Sequence, residues 1–179
     1  MTKTRRKHIN ELVEIIREEA NLSAPVTLEQ LKEFVTKDLE GQVVEKDLFD
    51  DRDGQINKTS DSFIITLNNS NYSSEERQKF TLAHELGHLF LHMGFLNKEK
   101  WEKTEDYEDT VYARNGYSEE EYDAHEFAAA LLMPKDKYTD IVKDNSSDGK
   151  CDTSIIADYF GVSEQAASNR GKWLGIFKW

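Results

Sequence analysis

Apolar residues recur along this chain with two different periods. Ile9, Leu12, Val13 and Ile16 lie at helical spacing, which predicts an amphipathic helix over about residues 5 to 20. Pro25 breaks the chain, and Thr27-Leu28-Glu29-Gln30 has the form of a capping box opening a second, short helix whose buried side is Leu31, Phe34 and Val35. Between Gly41 and Asn69 the period shortens. Val43-Val44, Gln55-Ile56-Asn57 and the run Ser62 to Leu67 read as three short strands, with Asp53-Gly54 and Asn68-Asn69 as turns between and after them. Ser73 with Glu76 predicts an N-cap for a helix through Phe80 to about His92. The segment Met93 to Tyr117 is crowded with charge and lacks periodicity, so it reads as a long loop with the character of a lid. Ser118 opens a further helix that runs to Leu132, where Met133-Pro134 ends it. Asp144 to Gly149 is a linker by composition, and residues 152 to 179 hold two more helical stretches. The expected fold class is α+β: a helical N-terminus, a small three-stranded sheet, a helix pair and a helical tail. Residues 1–143 are read as one domain and 152–179 as a helix-turn-helix-like tail packed on it.

Composition narrows the function. The chain has 179 residues, enough for a hydrophobic core without staples. Twenty-three Lys and Arg against 35 Asp and Glu give −12 at pH 7. So acidic a chain is poorly suited to neutralising phosphates, which counts against direct nucleic-acid binding. The single cysteine, Cys151, permits no internal disulfide and points to a reducing compartment. Lys3, Arg5, Arg6 and Lys7 resemble the basic start of a signal peptide, but the stretch His8 to Glu19 contains Glu11, Glu14, Arg17, Glu18 and Glu19 and cannot form its apolar core. No uncharged apolar run approaches transmembrane length, so a soluble, cytoplasmic protein with no membrane partner is expected.

The chemistry lies on two of the predicted helices. His84-Glu85-Leu86-Gly87-His88 is an H-E-x-x-H pattern inside an apolar helical run. Residues four apart share a helix face, so both imidazoles can reach one cation. Glu85 lies roughly 100° round from His84, beside the metal rather than among its ligands, where a general base for water belongs. Leu82, Leu86, Leu89 and Phe90 fill the other sides, so the helix is buried nearly all round and its histidines need partners. The plainer alternative is two histidines hydrogen-bonded in the core.

Two histidines do not complete a catalytic zinc site, which takes three protein ligands and an open position. His92 is one candidate, but it lies roughly 80° from His84 on the same rod and reads better as an end-of-helix residue that supports the ligands. Gly94 stands where the longer H-E-x-x-H-x-x-G-x-x-H pattern wants its third histidine, which excludes that pattern. Glu121 is the better candidate. On a helical wheel it falls in the apolar stripe of Ala124, Ala128, Leu131 and Leu132, while Glu119, Asp123 and Glu126 fall opposite, toward solvent. A carboxylate on a core-facing stripe needs compensation, which a metal supplies. His125 shares that face and is placed to orient a ligand. Ala124, Ala128 and Ala129 are small enough to let the two helices approach closely. The competing reading makes Ser118 to Glu121 a capping box, with Glu121 bonding the N-cap amide.

The segments Phe80 to His92 and Glu121 to Pro134 closely resemble the ImmA/IrrE family of bacterial and phage metallopeptidases. The resemblance is strong over about residues 60 to 135 and looser elsewhere. It implies a zincin-like helix pair, zinc held by His84, His88 and Glu121, and Glu85 as the residue that activates water. It also implies the substrate: a DNA-bound repressor of the helix-turn-helix type, cleaved to release mobile-element or stress genes. His125 stands where the family commonly has Asn; it can hydrogen-bond, and it can also compete as a ligand.

Two further features bear on function. The strand Ser62 to Leu67 precedes the metal helix and, as an edge strand, would bind a substrate peptide in extended form. The stretch Ile155 to Arg170 has the small residue, Gly turn and apolar spacing of a helix-turn-helix. That opens a rival reading as a DNA-binding regulator, and a third as a toxin or zinc sensor without proteolysis. The would-be reading helix offers Glu164, Gln165, Ser168, Asn169 and Arg170, with one cation among them, so a structural hairpin or partner-binding element is favoured. Trp173, Leu174, Ile176, Phe177 and Trp179 are too apolar for a free tail.

Overall fold

The first helix, α1 (Lys3–Glu19), buries Ile9, Val13 and Ile16, and Thr2 caps it by accepting from the Arg5 amide. The computed structural model describes residues 1–48, 52–69, 74–104 and 118–178. The second helix, α2 (Leu28–Glu33), opens on the expected reciprocal box: Thr27 Oγ1 accepts from Gln30 N and Gln30 Oε1 accepts from Thr27 N, at 3.2 and 2.9 Å. A π-helical turn (Phe34–Asp38) continues it and buries Phe34 and Val35.

The strands are β1 (Gln42–Lys46), β2 (Gly54–Lys58) and β3 (Phe63–Asn68), in the spatial order β1-β3-β2. β1 runs parallel to β3 and β2 antiparallel to it, with Ile56 opposite Ile65 and Gly54 opposite Leu67. This overturns the expectation that Ser62 to Leu67 is an edge strand. Phe63, Ile65 and Leu67 are fully buried and Thr66 nearly so, and burial on both faces belongs to a central strand. The edges are β1, which is mostly exposed, and β2.

Helix α3 (Glu75–Leu91) touches α2, β2, β3 and α5 (Glu119–Leu132), so it is the axis of the molecule. Its N-cap is Ser74, one residue later than expected; Ser73 lies outside the described residues. A short α4 (Lys98–Lys103), capped by Asn97, lies in the segment expected to be loop, and residues 105–117 of that segment lie outside the described residues. Pro134 ends α5 and at once precedes α6 (Lys135–Asp144), a helix outside the elements read from the sequence, with Tyr138 and Ile141 buried. The expected linker is instead a minimal hairpin, β4 (Ser146–Ser147) and β5 (Lys150–Cys151), turning at Asp148-Gly149.

The tail consists of α7 (Thr153–Phe160) and α8 (Glu164–Trp173). Gly161, in the left-handed region at φ 57°, closes α7, and Ser163 caps α8 by accepting from Ala166 N. Tyr138 donates to the Ala167 carbonyl at 2.6 Å, and Lys79 Nζ donates to the Phe160 carbonyl at 2.7 Å, tying α6 and α3 to the tail. The whole is an α+β fold with the sheet on one side of α3 and helices on the other. Among the described residues no helix is long and apolar enough to cross a membrane.

Candidate metal centre

The two motif helices meet face to face. A Cβ added at Gly87 would lie 2.9 Å from the Ala124 Cα, so α3 and α5 touch backbone to backbone where glycine faces alanine. That contact brings Glu121 over the His84–His88 face. His84 Nε2 and His88 Nε2 lie 3.0 Å apart, His84 Nε2 is 3.3 Å from Glu121 Oε2, and His88 Nε2 is 3.2 Å from Glu121 Oε1. Ser118 caps α5 by accepting from the Glu121 amide at 3.1 Å. The Glu121 side chain meanwhile goes to the imidazoles, so the capping box is only half made and the competing reading loses its second hydrogen bond.

These three groups fit one cation. A tetrahedral site with bonds of about 2.0–2.1 Å to its donors has edges of about 3.3 Å, close to the separations found. Burial lowers the His84 pKa to about 4, against the opposing hydrogen bond to Glu121. Hydrogen bonds from His84 and His88 hold the Glu121 carboxyl well below the usual carboxylate range. At neutral pH His84 is therefore a neutral imidazole and Glu121 a carboxylate, the forms in which such groups bind metals.

Behind His88, its Nδ1 lies 3.0 Å from His92 Nδ1, and His92 Nε2 lies 3.8 Å from Asp123 Oδ2. His88 with its Nε2 lone pair turned to a cation carries its proton on Nδ1 and donates it to His92. His92 thus lies behind His88, and burial lowers its pKa to about 3. His125 stands on the outer side: its ring centroid is 4.6 Å from that of His84, and its Nδ1 lies 2.8 Å from the Glu121 carbonyl. A ring nitrogen of His125 lies within 4.8 Å of donor atoms of both His84 and Glu121.

Two expectations for α5 fail. Asp123 and Glu126 do not face solvent; they are 2% and 5% exposed. The side opposite Glu121 is covered by α1 and α8, whose cations replace water as partners. Arg5 pairs with Asp123, and Arg6 Nε lies 3.0 Å from Glu126 Oε2. Arg170 is no surface base reader either. It is 2% exposed, and its three nitrogens donate to Glu126 Oε1 at 2.8 Å, Asn10 Oδ1 at 2.9 Å and the Met133 carbonyl at 3.1 Å. The only sequence signal for this network was two acidic residues at i, i+3 on an alanine-rich helix, matched by a basic N-terminus.

Glu85 is 2% exposed, and its Oε1 would lie 3.6 Å from a Cβ added at Gly54, so the base candidate sits against the first residue of β2. On the other side of Glu121 and His125 opens a cavity of about 520 Å³, walled by Phe80, Tyr122, Ala129, Ala166 and Trp173. The Arg6 guanidinium stacks 3.9 Å over the Trp173 ring and braces that wall. Sequence reading found none of these wall residues, because they come from α3, α5 and α8.

A solved structure described as a Mycobacterium tuberculosis transcriptional regulator shares this fold, with a TM-score of 0.63 at 16% identity. The similarity covers 92% of this chain and 46% of that one, so the chain spans about half the length of that protein. No curated protein matches the sequence. The profile of Peptidase_M78, described as the IrrE N-terminal-like domain, matches residues 29–172, a span that holds both motif helices and agrees with the resemblance read from them. With a metallopeptidase-family profile over most of its length and a His-Glu group able to hold a metal, the chain belongs to the Peptidase_M78 family.

Proposed function

We propose that this chain is a zinc-dependent endopeptidase that cleaves a helix-turn-helix repressor. The observation that carries the reading is the convergence of His84 Nε2, His88 Nε2 and the Glu121 carboxylate at 3.0–3.3 Å, with Glu85 next to His84 on the same helix. His84, His88 and Glu121 hold the metal. Zinc bound there would supply a Lewis acid for the scissile carbonyl and for an attacking water. Glu85 would serve as the base that takes a proton from the attacking water and passes it to the leaving amine. Its burial keeps bulk water from competing for that proton.

The substrate strand is assigned to β2 rather than β3. Among the described residues β2 pairs only with β3, which leaves its outer edge open for an extended peptide. Gly54 opens that edge beside Glu85, and a Cβ there would lie 2.5 Å from Thr81 Cγ2, so glycine is what lets β2 approach α3. A peptide on this edge presents its backbone to the base, while the cavity walled by Phe80 and Trp173 receives an apolar side chain. The net charge of −12 favours encounter with a basic, DNA-binding partner. We place the reaction in the cytoplasm, where a free, partly exposed Cys151 is stable. The burial of Arg170 in an ion pair with Glu126 counts against the DNA-binding alternative.

The test is co-expression with the repressor encoded beside this protein, watching for a single truncated product. Glu85→Gln keeps the side-chain size but cannot accept the proton, so it is expected to retain metal and fold and to cleave at least about a hundredfold more slowly. The same product at the same rate would remove the peptidase reading and leave a zinc-dependent binding role in its place.

A further inference from the structure

We propose that His125 is a fourth, displaceable arm of the metal centre: at rest the cation is held by four protein groups, and substrate enters by taking the place of His125. The proposal rests on the reading of His84, His88 and Glu121 as zinc ligands. Catalytic zinc sites keep one position open, whereas sites with four protein ligands are closed. The resting state of this centre therefore turns on what can reach the fourth position, and His125 is the histidine beside both His84 and Glu121.

Reach comes first. A ring nitrogen of His125 lies within 4.8 Å of donor atoms of both His84 and Glu121. That exceeds the edge of a tetrahedral site by at most about 1.5 Å, a gap closed by rotation about the side-chain bonds. His125 is exposed, so no packed neighbour has to move.

The hydrogen bond of the ring then decides its role. His125 Nδ1 lies 2.8 Å from the Glu121 carbonyl oxygen, which can only accept, so Nδ1 carries the proton. In the neutral form of the ring the lone pair then lies on Nε2. This is the form a metal ligand needs, with the second nitrogen anchored to backbone as ligating histidines commonly are. The anchor is the carbonyl of Glu121 itself, so one residue of α5 positions both its own carboxylate and the fourth arm.

Displacement follows from the surroundings. Glu121 and His125 both line the cavity that Phe80, Ala166 and Trp173 wall, so an occupant of that cavity touches both residues. His84 and His88 are 12% and 1% exposed at their side chains and have nowhere to go, so the exposed arm is the one that yields.

Histidine-labelled protein titrated with zinc and followed by imidazole nitrogen NMR tests the idea without any need for turnover. The chain has five histidines, and His8 serves as the internal reference. Three Nε2 resonances, those of His84, His88 and His125, are expected to move into the metal-bound range in the wild type, and two in His125→Asn, which keeps a hydrogen-bonding group at an exposed position. In the zinc-loaded proteins acetohydroxamate should bind His125→Asn about tenfold more tightly than the wild type, the factor for a site closed nine-tenths of the time. If only His84 and His88 respond in the wild type, or if acetohydroxamate binds both proteins equally, His125 is no ligand and the proposal falls. If neither His84 nor His88 responds, the metal reading itself fails and takes the proposal with it.

Discussion

Arg170→Met tests whether the tail is part of the peptidase fold or an independent reading head. Methionine keeps much of the length and removes the charge and all three donors. What is lost is specific: the 2.8 Å ion pair with Glu126 and the bonds to Asn10 and the Met133 carbonyl, all at a residue 2% exposed. Removing one partner of a buried ion pair costs about 3–5 kcal/mol, because the other charge is left uncompensated. Glu126 does keep Arg6 at 3.0 Å and Asn10 Nδ2 at 2.7 Å, which places the expected cost at the lower end, about 3 kcal/mol. For a chain of this length that corresponds to a melting point lower by about 6–12 °C. Thermal and urea unfolding measure it, with Lys98→Ala, at a fully solvated i, i+4 pair, as the unchanged control. Glu126→Leu removes the same ion pair, so the two substitutions together should be non-additive by more than about 1 kcal/mol. A cost of Arg170→Met within about 0.5 kcal/mol of zero would refute the reasoning and return Arg170 to the surface, where a DNA contact is again open to it.

Two further outcomes check the centre itself. Glu121→Ala should lose most of the metal found by elemental analysis after dialysis, whereas Glu119→Ala, two residues earlier with a largely exposed side chain, should keep it; equal metal in both would return Glu121 to helix capping. Gly87→Ala should lower the melting point despite a helix-propensity gain of about 1 kcal/mol, because its Cβ meets the Ala124 Cα and carbonyl at 2.9 and 3.1 Å and backbone cannot give way. Overpacking of about 1–3 kcal/mol should win, and the wedge between α3 and α5 should also weaken metal retention by moving Glu121 off the histidines.

What could be read along the chain was whatever depends on near neighbours. The capping box of Thr27 and Gln30, the N-cap at Ser118 and the pairing of His84 with His88 across one helical turn all lie within four residues, where spacing alone sets geometry. Glu121 was legible for a related reason: a carboxylate in an apolar stripe needs a partner wherever the helix docks. The same wheel misplaced Asp123 and Glu126. It assumes one buried face, and α5 is covered on two, with cations supplied by Arg5, Arg6 and Arg170 from opposite ends of the chain. Strand order was out of reach in the same way, since parallel pairing of β1 with β3 leaves β2 as the edge beside Glu85 and nothing local encodes that choice. Residue types and periods therefore determined the candidate ligands and the helices that carry them. The burial of charge, the open strand edge and the cavity wall were decided only by docking, because each depends on which distant surface excludes water from a given face.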